Sequence, residues 1–323
     1  PVLKNFVISE RIQNKSSVLV EKYPRLFREI GEFKGEINIK LKDNAIPFLQ
    51  TIPRRVPIPL LPKLKAEIAR LINLDIIEPM DEVTEWISPI VVVPKTNNEI
   101  RLCVDYTQLN KAVIRPYFPM PKIEHSLAKI QEAKIFSKID ANKGFYQIKL
   151  DRESQFLTCF ISPFERFIFK RLPFGISCAP EYFVSKFNKV LNGVNNCISH
   201  VDDILIFGKN RAEHDIALET VLDRLDKEGI TINKEKSCFG VDQVTYLGYV
   251  LSAEGISIDA ERIKAIIDYP TPENKTEVQR FLGMVNFVAK FVHNRSKILE
   301  PINVLTGKVD FVWDKIQEKA FWK

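Results

Sequence analysis

The chain lacks the residues that build covalently or metal-stapled scaffolds. Its five cysteines, Cys103, Cys159, Cys178, Cys197 and Cys238, are odd in number, scattered and never spaced C-x-x-C. They supply neither a disulfide framework nor a zinc site, and they fit a reducing compartment. No apolar run approaches the roughly 18 residues needed to span a bilayer, so no membrane partner is expected. No secretory pattern opens the chain, and no repeat or low-complexity tract interrupts it. These absences exclude a small secreted domain, a helical membrane protein and a repeat array, and they point to an intracellular location. The first residue is Pro1 rather than methionine, which suggests a processed product or a fragment of something longer.

What is present is the composition of an ordinary soluble protein. With 323 residues, 45% of them hydrophobic, there is room for two or three subdomains around a sizeable core. Lys and Arg number 47 against 41 Asp and Glu, a net charge of +6. That excess is compatible with a polyanionic partner, but the charges are interspersed, so alone it decides little.

Proline marks the clearest boundary. Pro47, Pro53, Pro57, Pro59 and Pro62 make residues 46–62 an extended connector, and residues 1–45 a lead-in whose fold no pattern specifies. Next comes a helix with Leu64, Ile68, Leu71 and Ile72 on one face, stopped before Pro79. Residues 90–93 and 100–106 read as strands joined by a Thr96-Asn97-Asn98 turn. Pro121 suits the first turn of a helix burying Ile123, Leu127 and Ile130.

Residues 157–161 and 166–170 read as a hairpin around Ser162-Pro163. Pro180 starts a helix with Phe183, Phe187, Val190 and Leu191 inward, closed near Gly193. A further helix carries Leu218, Leu222 and Leu225 on one side and ends at Gly229. Residues 245–251 are strand-like, and the remainder reads as helical. Asp259 can cap one helix there, and Thr276 with Gln279 offers a capping box for another. Strands and helices first, helices last, predict an α+β body with a helical appendage.

The most informative stretch is Ile198-Ser199-His200-Val201-Asp202-Asp203-Ile204-Leu205-Ile206-Phe207. Two carboxylates between apolar runs read as a hairpin with an acidic tip, although Asn-Gly or Asp-Gly would make the better turn. A third carboxylate, Asp140, ends the strand-like stretch 134–140. Three hard oxygen ligands on neighbouring strand ends suit magnesium, which takes a few carboxylates plus phosphates and water. That points to nucleotidyl transfer; a merely solvated hairpin tip is the alternative.

In order along the chain stand Ser88-Pro89-Ile90-Val91-Val92-Val93-Pro94-Lys95, Arg101-Leu102-Cys103-Val104-Asp105-Tyr106 with Leu109-Asn110-Lys111, and Phe136-Ser137-Lys138-Ile139-Asp140. Gly144-Phe145-Tyr146-Gln147, Leu172-Pro173-Phe174-Gly175 with Ala179-Pro180, and Val201-Asp202-Asp203 follow, then Tyr246-Leu247-Gly248-Tyr249 and Phe281-Leu282-Gly283. Over about residues 46–310 this series resembles the reverse transcriptase domain of gypsy-type long-terminal-repeat retrotransposons and retroviruses.

The resemblance implies a right-hand polymerase fold with fingers at 46–113 and 150–173, palm at 114–149 and 174–254, and a helical thumb at 255–310. Residues 311–323 would begin the connection toward an absent ribonuclease H domain. It implies Asp140, Asp202 and Asp203 as catalytic metal ligands for two magnesium ions, with manganese able to substitute and Asp203 the more peripheral.

Lys95, Arg101, Ala141, Phe145 and Phe174 would bind the incoming deoxynucleoside triphosphate. Phe145 would exclude a 2′-hydroxyl and Phe174 would line the pocket. Solvated surface charge is the alternative for the two cations, and plain packing for the two rings. Tyr246, Leu247, Gly248 and Tyr249 would form the primer grip. His200, Val201, Phe281 and Gly283 would touch template or primer.

Departures from the family pattern stand out, among them the absence of an Asp-Thr-Gly or Asp-Ser-Gly protease signature and of a His/Cys integrase zinc pattern. His200 occupies the place of the family's usual Tyr, and Pro94 sits where a second basic residue often adjoins Lys95. The implied partners are an RNA or DNA template with its primer, deoxynucleotides, and a ribonuclease H or integrase portion of a parent polyprotein. The implied place is the cytoplasm or a virus-like particle. A catalytically silent nucleic-acid-binding remnant, or a structural subunit of a heterodimer, are the competing readings.

Overall fold

The computed structural model describes residues 17–95, 99–118, 130, 132–292, 294–307 and 309–322. The Thr96-Asn97-Asn98 turn and the helix expected from Pro121 over Ile123 and Leu127 lie outside them. The chain divides into two compact units, Pro1–Asp242 and Gln243–Lys323.

At the centre of the first unit is an antiparallel sheet in the order Cys197–His200, Asp203–Gly208, Ile135–Asp140, Cys238–Val241. Ile204, Leu205, Ile206 and Phe136 are buried along consecutive and facing positions, so the inner strands are covered on both sides and read as apolar runs rather than alternations. The helices Ala179–Leu191 and Arg211–Lys227 bring Phe183, Phe187, Leu218, Leu222 and Leu225 into that core. Gly193 and Gly229, beyond their ends, take φ of 71° and 74°, the left-handed conformation that closes helices.

Ser137 on the central strand accepts or donates a 2.8 Å hydrogen bond with His214 Nε2, whose Nδ1 lies 2.7 Å from Asp215. The connectivity is that of a hydrolase relay. Ser137 and His214 are both fully buried, so the chain of contacts ties strand to helix and has no access to substrate.

A second sheet runs Phe48–Leu49, Trp86–Pro94, Phe160–Ile161, Arg166–Phe169, Ile77–Pro79, with Ile100–Val104 paired to Trp86–Pro94. The expected hairpin around Ser162-Pro163 is there, but Leu157 belongs to the preceding helix Arg152–Leu157, which Asp151 caps by accepting from the Ser154 amide. In the helix Leu61–Asn73, Leu64, Ile68 and Leu71 are buried while Ile72 is exposed; it sits one residue past the apolar stripe.

The lead-in is part of the first unit's core. Leu19, Tyr23, Leu26, Phe33, Ile37 and Ile39 are buried there, and Glu36–Ile37 pairs in parallel with Lys149–Leu150. Its pairings are two residues long and distant in sequence, too short to leave a periodic signal.

The second unit opens with an antiparallel sheet, Gln243–Tyr246, Tyr249–Ser252 and Gly255–Ile258. The stretch 245–251 is thus a tight hairpin rather than one strand, and Gly255–Ile258 is a strand where helix was expected. Helices Ala260–Ile267, Lys275–Val288, Arg295–Val304 and Lys315–Phe321 follow, around Val278, Phe281, Leu282, Leu299 and Ile302. Asp259 caps as expected. The next cap is Asn274, accepting from the Glu277 amide, so Thr276 lies inside the helix. The capping box occurs instead at Asp314 and Gln317.

Candidate active site

The acidic hairpin forms with a shifted tip. His200 pairs with Asp203 in the ladder, which leaves Val201 and Asp202 as the two turn residues and makes Asp203 the first residue of its strand. Val201 has φ of 54°. A II′ turn would place glycine at that first position, and a β-branched residue there is a true conformational outlier. Strain of this kind, of order 1–3 kcal/mol, persists where the surroundings over-determine it and clusters at functional sites.

Asp203 is in turn the register partner of Asp140 on the adjacent antiparallel strand, and the Asp202 carbonyl accepts from the Ala141 amide at 3.0 Å. The three carboxylate-bearing residues are therefore neighbours at one end of the central sheet. Asp140 is enclosed by the segment 233–237: its amide donates to Ser237 Oγ and its carbonyl accepts from the Asn233 amide.

Two lysines balance the site. Lys138 Nζ lies 3.3 Å from Asp203 Oδ1, and Lys236 Nζ lies 3.8 Å from Asp140 Oδ1. Burial pushes the Asp140 carboxyl above its ordinary range; Lys236 opposes that, and the charges of Asp202 and Asp203 reinforce it. Among the described residues no set of three or more His, Cys, Asp or Glu side chains is arranged as a ready metal cage. The donor chemistry still fits magnesium, which takes one or two carboxylates and completes its shell with substrate phosphates and water. A carboxyl whose pKa rises partly from neighbouring carboxylates is one that a cation would relieve.

The nucleotide-binding candidates fall into three sets. Phe145 and Phe174 meet, their ring centroids 4.9 Å apart, and Phe145 also lies edge-on to Phe183 at 5.6 Å. Phe174 is half exposed. Gly144, before Phe145, must be glycine: a Cβ there would come within 2.8 Å of the Phe183 ring. Asn110 holds the Phe174 loop by donating to the Gly175 carbonyl and accepting from the Ser177 amide.

Ala141 is buried with its amide engaged. Lys95 pairs with Glu99 at 3.1 Å on the hairpin arm, and Arg101 stands exposed opposite Val93.

In the second unit the grip candidates form the turn of a hairpin, with Leu247 at φ 51° and Gly248 at φ 83°. Tyr246 and Tyr249 are buried, which leaves the Leu247-Gly248 backbone as the accessible part. Phe281 does not have the expected exposure: it is buried, packed on Tyr269 and Phe321. Its ring belongs to the apolar stripe rather than to the helix face expected to meet template or primer. Gly283 on the same helix is exposed.

Several residues that organise the site went unassigned in the sequence. Lys138 lies two residues before Asp140, and the period-2 rule puts both on one face, a signal that could have found it. Gln147 is fully buried, donates to the Asn142 and Thr231 carbonyls and accepts from the Thr231 amide. Arg171, also buried, donates to the carbonyls of Gly31, Asp75 and Tyr146.

The mixed architecture of helices and largely antiparallel sheets is a right-hand polymerase fold. The architecture matches solved structures over nearly the whole chain. The foamy viral protease-reverse transcriptase in complex with RNA/DNA hybrid aligns with TM-score 0.83 and 24% identity, covering 96% of this chain and 43% of that one. The same enzyme in complex with dsDNA aligns with TM-score 0.84 and 24% identity, covering 96% and 66%.

Residues 93–251 match the family model described as reverse transcriptase (RNA-dependent DNA polymerase). Transposon Tf2-3 and Tf2-7 polyproteins of Schizosaccharomyces pombe are each 34% identical over 235 residues, 72% of this chain. Through residues 93–251 the chain belongs to the reverse transcriptase family, and the relatives it resembles are retrotransposon polyproteins. It spans 18% of the length of those polyproteins.

Proposed function

We propose that this chain adds deoxynucleotides to a primer 3′-hydroxyl on an RNA or DNA template, within a larger retrotransposon polyprotein. The observation that carries the reading is the register pairing of Asp140 with Asp203, with Asp202 at the strained tip between them and His200. Phosphoryl transfer is positioning plus neutralisation of charge, and this sheet end concentrates carboxylates where a cation would be needed.

Asp140 and Asp202 would hold magnesium, with manganese able to substitute and Asp203 more peripheral because Lys138 already faces it. Bound there, the metal would promote ionisation of the primer hydroxyl and neutralise charge on the triphosphate. Around it, Phe145 and Phe174 form the wall against which the incoming sugar is placed. Asn110 fixes that wall from behind, and Gln147 holds the turn that carries Phe145. Lys95 and Arg101 grip the triphosphate, Lys95 exchanging Glu99 for phosphate oxygens. The Leu247-Gly248 turn holds the primer strand. The fingers, palm and thumb boundaries implied by the resemblance, an intracellular or particle-bound location and a ribonuclease H or integrase neighbour in the polyprotein belong to the same proposal. No helix among the described residues is long and apolar enough to cross a membrane.

A second reading has its own support: the lysine partners of Asp140 and Asp203 also suit a silent protein that binds template–primer without extending it. One assay separates them: deoxynucleotide incorporation on an oligo-primed RNA template with magnesium, with Asp202→Asn alongside. Incorporation by the native chain and none by the variant establishes the polymerase. Tight template–primer binding with no incorporation by either favours the silent protein.

A further inference from the structure

Arg262 lies in the first turn of the helix Ala260–Ile267, within the second unit. Its guanidinium carbon sits 4.0 Å from the centroid of the Phe287 ring, and Phe287 stacks on Tyr249 at 4.8 Å with planes 16° apart. Its other contact is the hairpin turn: a Cβ built on Gly248 would fall 2.6 Å from Arg262 Nη2. The guanidinium is therefore held between an aromatic ring and the backbone of the Leu247-Gly248 turn, where both residues have positive φ. Gly248 is required twice over, by its conformation and by the cation lying against it.

A guanidinium held by these two contacts still has N–H donors to offer, in the fork geometry that matches phosphate oxygens. Arg262 is exposed, and among the described residues no carboxylate forms an ion pair with it. An oriented cation without an anionic partner, set against a strained turn, is a prepared site for an anion. We propose that Arg262 contacts a backbone phosphodiester of the bound template–primer, with Phe287 and the Gly248 turn fixing its orientation. This rests on the reading of the chain as a template–primer-binding polymerase. It adds a residue from outside the Tyr246-Leu247-Gly248-Tyr249 motif.

The test is fluorescence anisotropy of a labelled template–primer against the full chain over a range of salt concentrations. Losing one phosphate contact lowers the slope of log affinity against log salt by about 0.9 for a duplex. Arg262→Gln is expected to bind more weakly with a slope reduced by about one, whereas Arg262→Lys keeps the charge and the slope. Arg262→Met retains packing on Phe287 and is expected to lose the same increment, so a misfolded glutamine variant does not spoil the test. Native binding with an unchanged slope in Arg262→Gln or Arg262→Met overturns the phosphate contact while leaving the polymerase reading intact. Failure of the native chain to bind any template–primer overturns that reading instead.

Discussion

Phe145 and Phe174 come from separate motifs, yet their rings meet 4.9 Å apart, so the residue proposed to screen the sugar leans on the residue proposed to line the pocket. Phe145→Val is expected to raise ribonucleotide use relative to deoxynucleotide use by about 10–200-fold, the range for removing part of a pocket wall. The ratio of kcat/KM for the two sugars is the measurement, and an unaltered ratio sinks the gate. Phe174→Ala should relax the same discrimination less. The double variant should fall short of the sum, because residues in contact do not act independently.

The carboxylates should separate by role. Asp140→Asn or Asp202→Asn is expected to remove nucleotide addition with the fold intact. Asp203→Asn, acting through orientation, should cost about 10–100-fold. Magnesium should raise the melting temperature of the native chain, as any ligand that favours the folded state does. It should not raise that of Asp140→Asn/Asp202→Asn. An equal rise in both would remove these two residues from the metal site.

Asp140 also fixes a sign for pH. Burial raises its carboxyl pKa in the folded chain, so the folded state binds this proton more tightly than the unfolded state. Its contribution to stability is full below the ordinary carboxylate pKa and is lost as pH rises through the raised value. Asp140→Asn abolishes that loss. Thermal melts from acid to neutral pH should show the variant gaining on the native chain as pH rises, and a difference that stays constant or shrinks would contradict the assignment.

The acidic tip was legible because apolar runs of strand length flank it and turn chemistry is violated at it. Its details were not: Val201, rather than Asp203, is the turn residue, since a one-residue shift alters no composition. Phe281 shows the limit from the other side. An amphipathic helix gives one apolar stripe, and Val278, Phe281 and Val285 on it point inward as a set; only the motif resemblance singles out Phe281 for template or primer, while the structure buries its ring and exposes Gly283. The cross-ties made by Arg171 and Gln147 were invisible for another reason: each joins segments far apart in sequence, and only the folded chain brings their carbonyls together.

Arg171 carries a stability prediction of its own. It sits just before Leu172-Pro173-Phe174-Gly175 and donates to three backbone carbonyls and to Glu32 at 3.2 Å. Arg171→Ala leaves those carbonyls unpaired in a buried place, at about 1–3 kcal/mol for each group left unsatisfied. A total near 3–5 kcal/mol is expected, read by denaturant unfolding. Arg171→Lys should recover little, since one ammonium cannot reproduce the planar fork. A cost below about 1 kcal/mol, the scale of an ordinary surface change, would mean the cross-tie is incidental.

Val201 tests whether the strained turn serves the site. At φ of 54° a β-branched residue is strained by about 1–3 kcal/mol, whereas glycine adopts this conformation freely. Glycine also loses more backbone entropy on folding, about 0.5–1 kcal/mol, so Val201→Gly should be neutral or stabilising by up to about 2 kcal/mol. Activity should move the opposite way. Val201 precedes Asp202, and a freer backbone there lets the carboxylate wander from the geometry that positioning requires; small misplacements near reacting atoms cost about 100-fold. Parallel measurement of unfolding free energy and nucleotide incorporation decides the matter. A variant that gains stability and loses turnover shows that the strain is held in service of Asp202. A variant that gains stability at full activity shows that the neighbouring ladder, from His200–Asp203 to Asp140, suffices to hold the tip.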